Sequence, residues 1–183
     1  MAPREGHMKA MCRIFGYLRY KHKGKILIDS SQPPVRHKVE ITKGQEWIEF
    51  YPDAVEDLPP DRPRPRGELC TLTIYVDADH ARDKLTRRSV TGILILLNNT
   101  PISWYSKHQK MVESSTYGSE LVASRIAVEQ IIALRYSLTM LGCELKPSSL
   151  MIGDNMAVVL NTTVPSSALK KNHQACNHHK VKE

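Results

Sequence analysis

Hydrophobic positions recur along this chain with two different periods, and the change from one to the other divides it. Near the start, Met8, Met11, Cys12, Phe15 and Leu18 fall three and four residues apart, the spacing of one helix face. This predicts an amphipathic helix from Pro3 to about Tyr20, with Pro3 near its start and Gly24 closing a turn before a short strand, Lys25 to Ile28. The helix either packs on a neighbour with a solvated basic face or also lines a nucleic-acid path. An acidic stretch runs from Glu40 to Asp61, and Arg62-Pro-Arg-Pro-Arg66 follows. Alternating proline removes amide donors and fixes φ, which excludes helix and central strand there. Residues 62–71 therefore read as an extended linker between 1–61 and 72–183.

Beyond it the period shortens. Leu72 to Val76 is rich in β-formers and runs into Asp77-Ala-Asp79, and Thr91 to Leu97 is a nearly continuous apolar run that suits a buried central strand. Asn98-Asn99 gives a turn and Ile102 to Ser106 a third strand, so the three form an antiparallel meander. A long helix follows, capped at Ser115 or Thr116 and stopped at Gly142. Ala127, Ile131, Leu134, Leu138 and Leu141 form its buried stripe, which extended backwards meets Ser124 and Glu120. Leu150 to Ile152 is a fourth strand, a helix spans about Asn155 to Asn161, and the basic, His-containing tail from Ser167 looks helical. The fold class is α/β: three antiparallel strands plus a parallel fourth, covered by the long helix.

Composition narrows the function. With 41% hydrophobic and 25% charged residues the chain is ordinary globular material, and its net charge of +7 favours polyanions, nucleic acid first. Cys12, Cys70, Cys143 and Cys176 show no CxxC pair, which argues against a zinc ribbon or a disulfide framework. His173, His178 and His179, with one nearby Cys, read as part of a solvated basic helix rather than a zinc site. No apolar run reaches the length of a membrane span, so no membrane partner is expected.

Three acids stand out by position: Asp77 ending the first strand, Glu120 on the inward face of the long helix, and Asp154 ending the fourth strand. If the first and fourth strands are neighbours, all three meet at one edge. Clustered carboxylates repel, and Mg²⁺ (or Mn²⁺) resolves that repulsion with hard oxygen ligands. Period-2 alternation places Asp77 and Asp79 on one side of the strand, so spacing leaves both open as the ligand. An Asp closing a strand, as Asp154 does, also serves as a turn former or helix N-cap. Ser89, Ser114 and Ser115 read as loop and capping residues, with no His–acid partner to make them nucleophiles.

Tyr75-Val-Asp-Ala-Asp79, Thr86 to Gly92 (TRRSVTG), Pro101 to Lys107 (PISWYSK), Glu113 to Glu120 (ESSTYGSE) and Asp154-Asn155 occur in one order. Together they resemble the ribonuclease H domain of copia-type retrotransposons, whose forms are YxDADxAgD, RRStsG, PIsWxSkkQ, SSTeaEy and DNqsa. Pro3 to Leu18 resembles the end of the reverse transcriptase of the same Pol polyprotein, its thumb and connection. The resemblance implies a ribonuclease H-like fold and catalytic, metal-binding roles for Asp77, Glu120 and Asp154. The implied reaction is two-metal hydrolysis of the RNA strand of an RNA–DNA hybrid. Arg87, Arg88, Lys107 and Lys110 could hold phosphates or form a solvated face. The implied partners are the hybrid and the rest of the Pol polyprotein, in an intracellular setting, cytoplasmic (virus-like particle) or nuclear. Departures are His80 for the family's Trp, Arg82 for its Gly, and Ala175 and Lys180 in the tail. Members add a fifth strand, a final helix and a fourth Asp that nothing here supplies. The alternative is a remnant that binds nucleic acid without cleaving it.

Overall fold

The computed structural model describes residues 5–33, 44–53, 56–164, 166–167, 169 and 174–182. Helix α1 spans Glu5–Tyr20, as the periodicity predicts, while the expected start at Pro3 lies outside the described residues. No residue of α1 is buried: Met8, Met11, Phe15 and Leu18 all stay exposed. The strand expected over 25–28 does not form, and those residues are exposed irregular backbone. Instead, Asp29 to Ser31 is tied to the turn at 98–100: the Asp29 N–H donates to Thr100 Oγ1 (2.7 Å) and Asn98 Nδ2 to the Ser30 carbonyl (2.8 Å). Helix α2, Gly44–Phe50, lies inside the acidic stretch, where no periodicity announces it.

The Arg/Pro segment is extended as expected, but its second half is a strand, β1, Arg66–Cys70. Four strands and helices then follow in the predicted order: β2 Leu72–Asp79, β3 Val90–Leu97, β4 Thr100–His108, α3 Thr116–Met140. After them come β5 Cys143–Leu145, β6 Leu150–Ile152, α4 Met156–Thr163 and α5 Ala175–Lys182. The main sheet has the order β4-β3-β2-β6, and a two-stranded sheet joins β1 to β5 in parallel. β2, β3 and β4 are an antiparallel meander; β6 pairs in parallel with β2, Thr73↔Leu150 to Tyr75↔Ile152. The fold is thus α/β, a mixed sheet with a long helix.

The core lies between this sheet and α3. Leu72, Ile74, Val76 and Ala78 of β2 and Ile93 and Ile95 of β3 meet Ala123, Ala127 and Ile131 of α3. Small residues on the helix let it approach the sheet closely, and each buried aliphatic chain contributes roughly 1.5–3 kcal/mol. The predicted stripe holds from Ser124 to Leu138 but not at Leu141, which is 78% exposed because the helix has already ended. Ser115 is the N-cap, its Oγ accepting from the Gly118 N–H (3.2 Å). Gly142, at φ +80°, supplies the left-handed stop that a side chain would strain.

Candidate metal centre

Each acid reaches the site by a separate route. Asp77 is the sixth residue of β2, on the face away from the core, since Val76 and Ala78 on either side of it are buried. Asp154 follows β6, and because β6 runs parallel to β2 the two strands carry their acids to the same end of the sheet. Glu120 projects from the second turn of α3, where the helix meets the sheet. One carboxylate oxygen from each of Asp77, Glu120 and Asp154 lies within 4.8 Å of the others. Asp77 and Asp154 are exposed, whereas Glu120 is 8% exposed.

Among the described residues nothing compensates the charge at this point. The ion pairs among the described residues, Lys9–Glu5, Arg82–Asp79, Arg125–Glu129 and Arg135–Glu56, leave all three acids unpaired. Among the described residues the one polar contact of Glu120 is the Ala78 N–H, which donates to Oε1 at 3.2 Å. Burial pushes the Glu120 carboxyl up to about 7; Asp154 and Asp77 add to the rise, and the Ala78 hydrogen bond opposes it. Three oxygen donors with excess negative charge and two solvent-facing members suit a hard divalent cation that keeps some water, Mg²⁺ or Mn²⁺.

The structure also separates residues that spacing leaves equivalent. Asp79 is turned to Arg82, whose Nη1 donates to its Oδ2 at 2.5 Å, and it stands apart from the cluster. Capping of α4 falls to Asn155, whose Oδ1 accepts from Ala157 and Val158, so Asp154 is released from that duty. Ser115 caps α3, and Ser89 is fully buried with its Oγ accepting from the Ala81 N–H, which matches their reading as structural residues.

The four basic residues are all exposed. Arg87, in the left-handed region at φ +56°, and Arg88 sit in the loop entering β3; Lys107 is near the end of β4 and Lys110 just beyond. The register Asp79↔Val90 and Val90↔His108 puts these positions at the sheet end where Asp77 lies. A groove of about 540 Å³ opens beside Asp77 and Asp154, walled by Tyr75, Gly92, Leu94, Tyr105, Ile152 and Gly153.

The tail differs from expectation. Gln174, His178 and Lys182 are buried, so α5 is docked rather than solvated, and His173 lies outside the described residues. Gln109, buried beside the start of α3, is not among the predicted site residues, although it stands at the last position of the form PIsWxSkkQ, and that is the signal that could have found it.

Comparison with known proteins finds plant transposon polyproteins and one secreted effector protein. The chain is 29% identical over 117 residues to the retrovirus-related Pol polyprotein from transposon RE1 of Arabidopsis thaliana, a match covering 64% of this chain and 8% of that protein. It is 33% identical over 109 residues to the corresponding polyprotein from transposon TNT 1-94 of Nicotiana tabacum, covering 60% of this chain and 8% of that protein. Over 69 residues it is 38% identical to secreted RxLR effector protein 161 of Plasmopara viticola, 38% of this chain and 49% of that protein. The chain thus spans about 8% of the length of the polyproteins it resembles. No family model matches it, and no solved structure is significantly similar to it. Among the described residues no helix is long and apolar enough to cross a membrane.

Proposed function

We propose that this chain carries a ribonuclease H-type nuclease region of a copia-type retrotransposon Pol polyprotein, hydrolysing the RNA strand of RNA–DNA hybrids. The observation that carries the reading is the meeting of Asp77, Glu120 and Asp154, from three separate elements, within 4.8 Å. The similarity to plant transposon polyproteins and the mixed sheet with its parallel strand β6 support it. On this reading the fold is ribonuclease H-like, residues 72–183 hold the site, and the rest of a Pol polyprotein is the natural partner.

Asp77 and Asp154 would hold the exposed side of a cation site and Glu120 its buried side, where its proton would be lost to solvent on metal binding. A divalent ion bound there supplies positive charge to the scissile phosphate and makes water a better nucleophile near neutral pH. The P–O3′ bond breaks as the water oxygen bonds phosphorus, leaving a 5′ phosphate and a 3′ hydroxyl. Arg87, Arg88, Lys107 and Lys110 hold backbone phosphates at the same end of the sheet. The 2′-hydroxyl distinguishes the RNA strand.

The test uses a hybrid labelled on its RNA strand, with Mg²⁺ or Mn²⁺, and the Asp77→Asn and Asp79→Asn variants. Cleavage by wild type and Asp79→Asn, lost in Asp77→Asn, is the expected result. No cleavage by any of the three rejects the enzyme. Salt-sensitive hybrid binding in that case favours a nucleic-acid-binding remnant, whose phosphate contacts release counterions.

A further inference from the structure

We infer that Gln109 is the positioning residue that sets Glu120 against the edge of β2, an inference that rests on the metal-dependent reading above. Gln109 directly follows β4 and is 3% exposed. Its backbone N–H donates to the Ser89 carbonyl (2.8 Å), which fixes its place beside the loop entering β3. Its side-chain Nε2 donates twice: to Thr91 Oγ1 on β3 (3.0 Å) and to the Ser119 carbonyl of α3 (2.8 Å). Ser119 immediately precedes Glu120, so one planar amide bridges the sheet to the helix at the residue before the buried acid.

Chemistry fixes the orientation of that amide. The Ser119 carbonyl can only accept, and a turned amide would set oxygen against oxygen. In the observed orientation Gln109 Oε1 is buried with no partner among the described residues. An unsatisfied buried acceptor costs stability, and an apolar side chain of the same size would avoid that cost. What the apolar chain would lose is above all the donor to the Ser119 carbonyl, which holds the start of α3 to the end of β4, where the Gln109 backbone is itself pinned to Ser89. The hydrogen bonds within α3 keep its first turns helical but do not fix their distance from the sheet. That distance decides whether Glu120 reaches the Ala78 N–H, which lies beyond the last β2–β6 pair at Tyr75↔Ile152. Gln109 thus acts on the acid cluster through Ser119, without touching a cation or a substrate.

Gln109→Met tests this, since it conserves volume and removes both donors. Thr91→Val is its companion, because it deletes the sheet-side partner but leaves the Ser119 bond in place. Two readouts are compared for folded protein: Mn²⁺ affinity by electron paramagnetic resonance, and the Ala78 amide resonance by NMR in the absence of metal. Gln109→Met is expected to weaken Mn²⁺ binding about tenfold to a hundredfold, the usual range for a lost supporting hydrogen bond, and to shift the Ala78 amide. Thr91→Val is expected to lower the unfolding temperature while retaining Mn²⁺ affinity and the Ala78 resonance. Wild-type affinity with an unmoved Ala78 amide in Gln109→Met overturns the inference, and so do equal losses in both variants. If the wild-type chain binds no Mn²⁺, the metal reading fails by itself, and the Ala78 amide in Gln109→Met still decides the positioning role.

Discussion

Glu120 is the residue on which the chemistry of the site turns, because it is the one acid of the cluster that the fold desolvates. Its carboxyl titrates near 4.5 when unperturbed and at about 7 in the folded chain. The folded state therefore binds this proton more tightly than the unfolded state. The stability that the group lends is complete below pH 4.5 and drains away as pH rises to 7, where the buried charge has formed. Urea unfolding of metal-free protein should show that loss between pH 4.5 and 7, and Glu120→Gln should remove it. A cation bound by the cluster would reverse the balance, since it would have to displace the proton. Mn²⁺ affinity should climb by about tenfold per pH unit below 7 for a single displaced proton and level off above it. A flat affinity from pH 5.5 to 8 would contradict this. The choice between Asp77 and Asp79 also lives at this scale. Period-2 spacing places both on one side of β2, and the structure separates them by the Arg82 contact of Asp79 and by the cluster, which takes in Asp77 and not Asp79.

Elements with long, strong patterns are legible in the sequence, as are the short β6, from its apolar run and the Gly153-Asp154-Asn155 that ends it, and α4, but β5 and α2 are not. The meander β2–β4 and the helix α3 follow from apolar runs, the Asn98-Asn99 turn and the Gly142 stop. β5 has three residues and α2 seven, too few for a period to register, and each has Glu among its apolar residues where the equally short β6 is wholly apolar. α1 is legible as a helix, but periodicity says nothing of a partner, and its apolar face remains exposed. The helix of the tail is legible too, but its docking is not, because it docks through polar groups. Gln174 Nε2 donates to the buried Glu113, His178 Nε2 lies 3.3 Å from the Asn161 carbonyl, and Lys182 Nζ donates to the Ser167 carbonyl (2.9 Å). Such a surface reads as solvated in sequence, because it has no apolar stripe. Gly118 in α3 faces this junction, and a Cβ there would lie 2.6 Å from Glu113 Oε2 and 3.2 Å from Gln174 Nε2. Gly118→Ala gains helix propensity but must push that pair apart. A net loss of about 1–3 kcal/mol is expected, as for overpacking elsewhere. Hydrogen exchange should locate it, with α5 amides less protected and β2–β3 amides unchanged. Uniform loss across the sheet would show that the junction does not localise the strain.

For the whole molecule, the convergence of the acids depends on a single topological fact, that β6 runs parallel to β2 and directly beside it. Sequence can place an acid at the end of each strand but cannot pair strands that are seventy residues apart. Charge has the same character: a net +7 is read at once, whereas its distribution needs the register. That register brings Arg87, Arg88, Lys107 and Lys110 to the sheet end that holds the acids, so a polyanion can be attracted there despite three local carboxylates. Attraction of this kind depends on counterion release and is therefore measurable as a salt slope. Each phosphate contact removed should reduce the magnitude of that slope by about 1. Arg87→Ala with Arg88→Ala should thus flatten the dependence of hybrid binding on salt by about 2, and raise KM for cleavage more than it lowers kcat. If the two arginines touch phosphates and not bases, as proposed, the weakening should be the same for hybrids of unrelated sequence. An unchanged slope would assign these residues to the solvated face, and would leave the attraction to basic groups elsewhere in the chain, the exposed α1 among them.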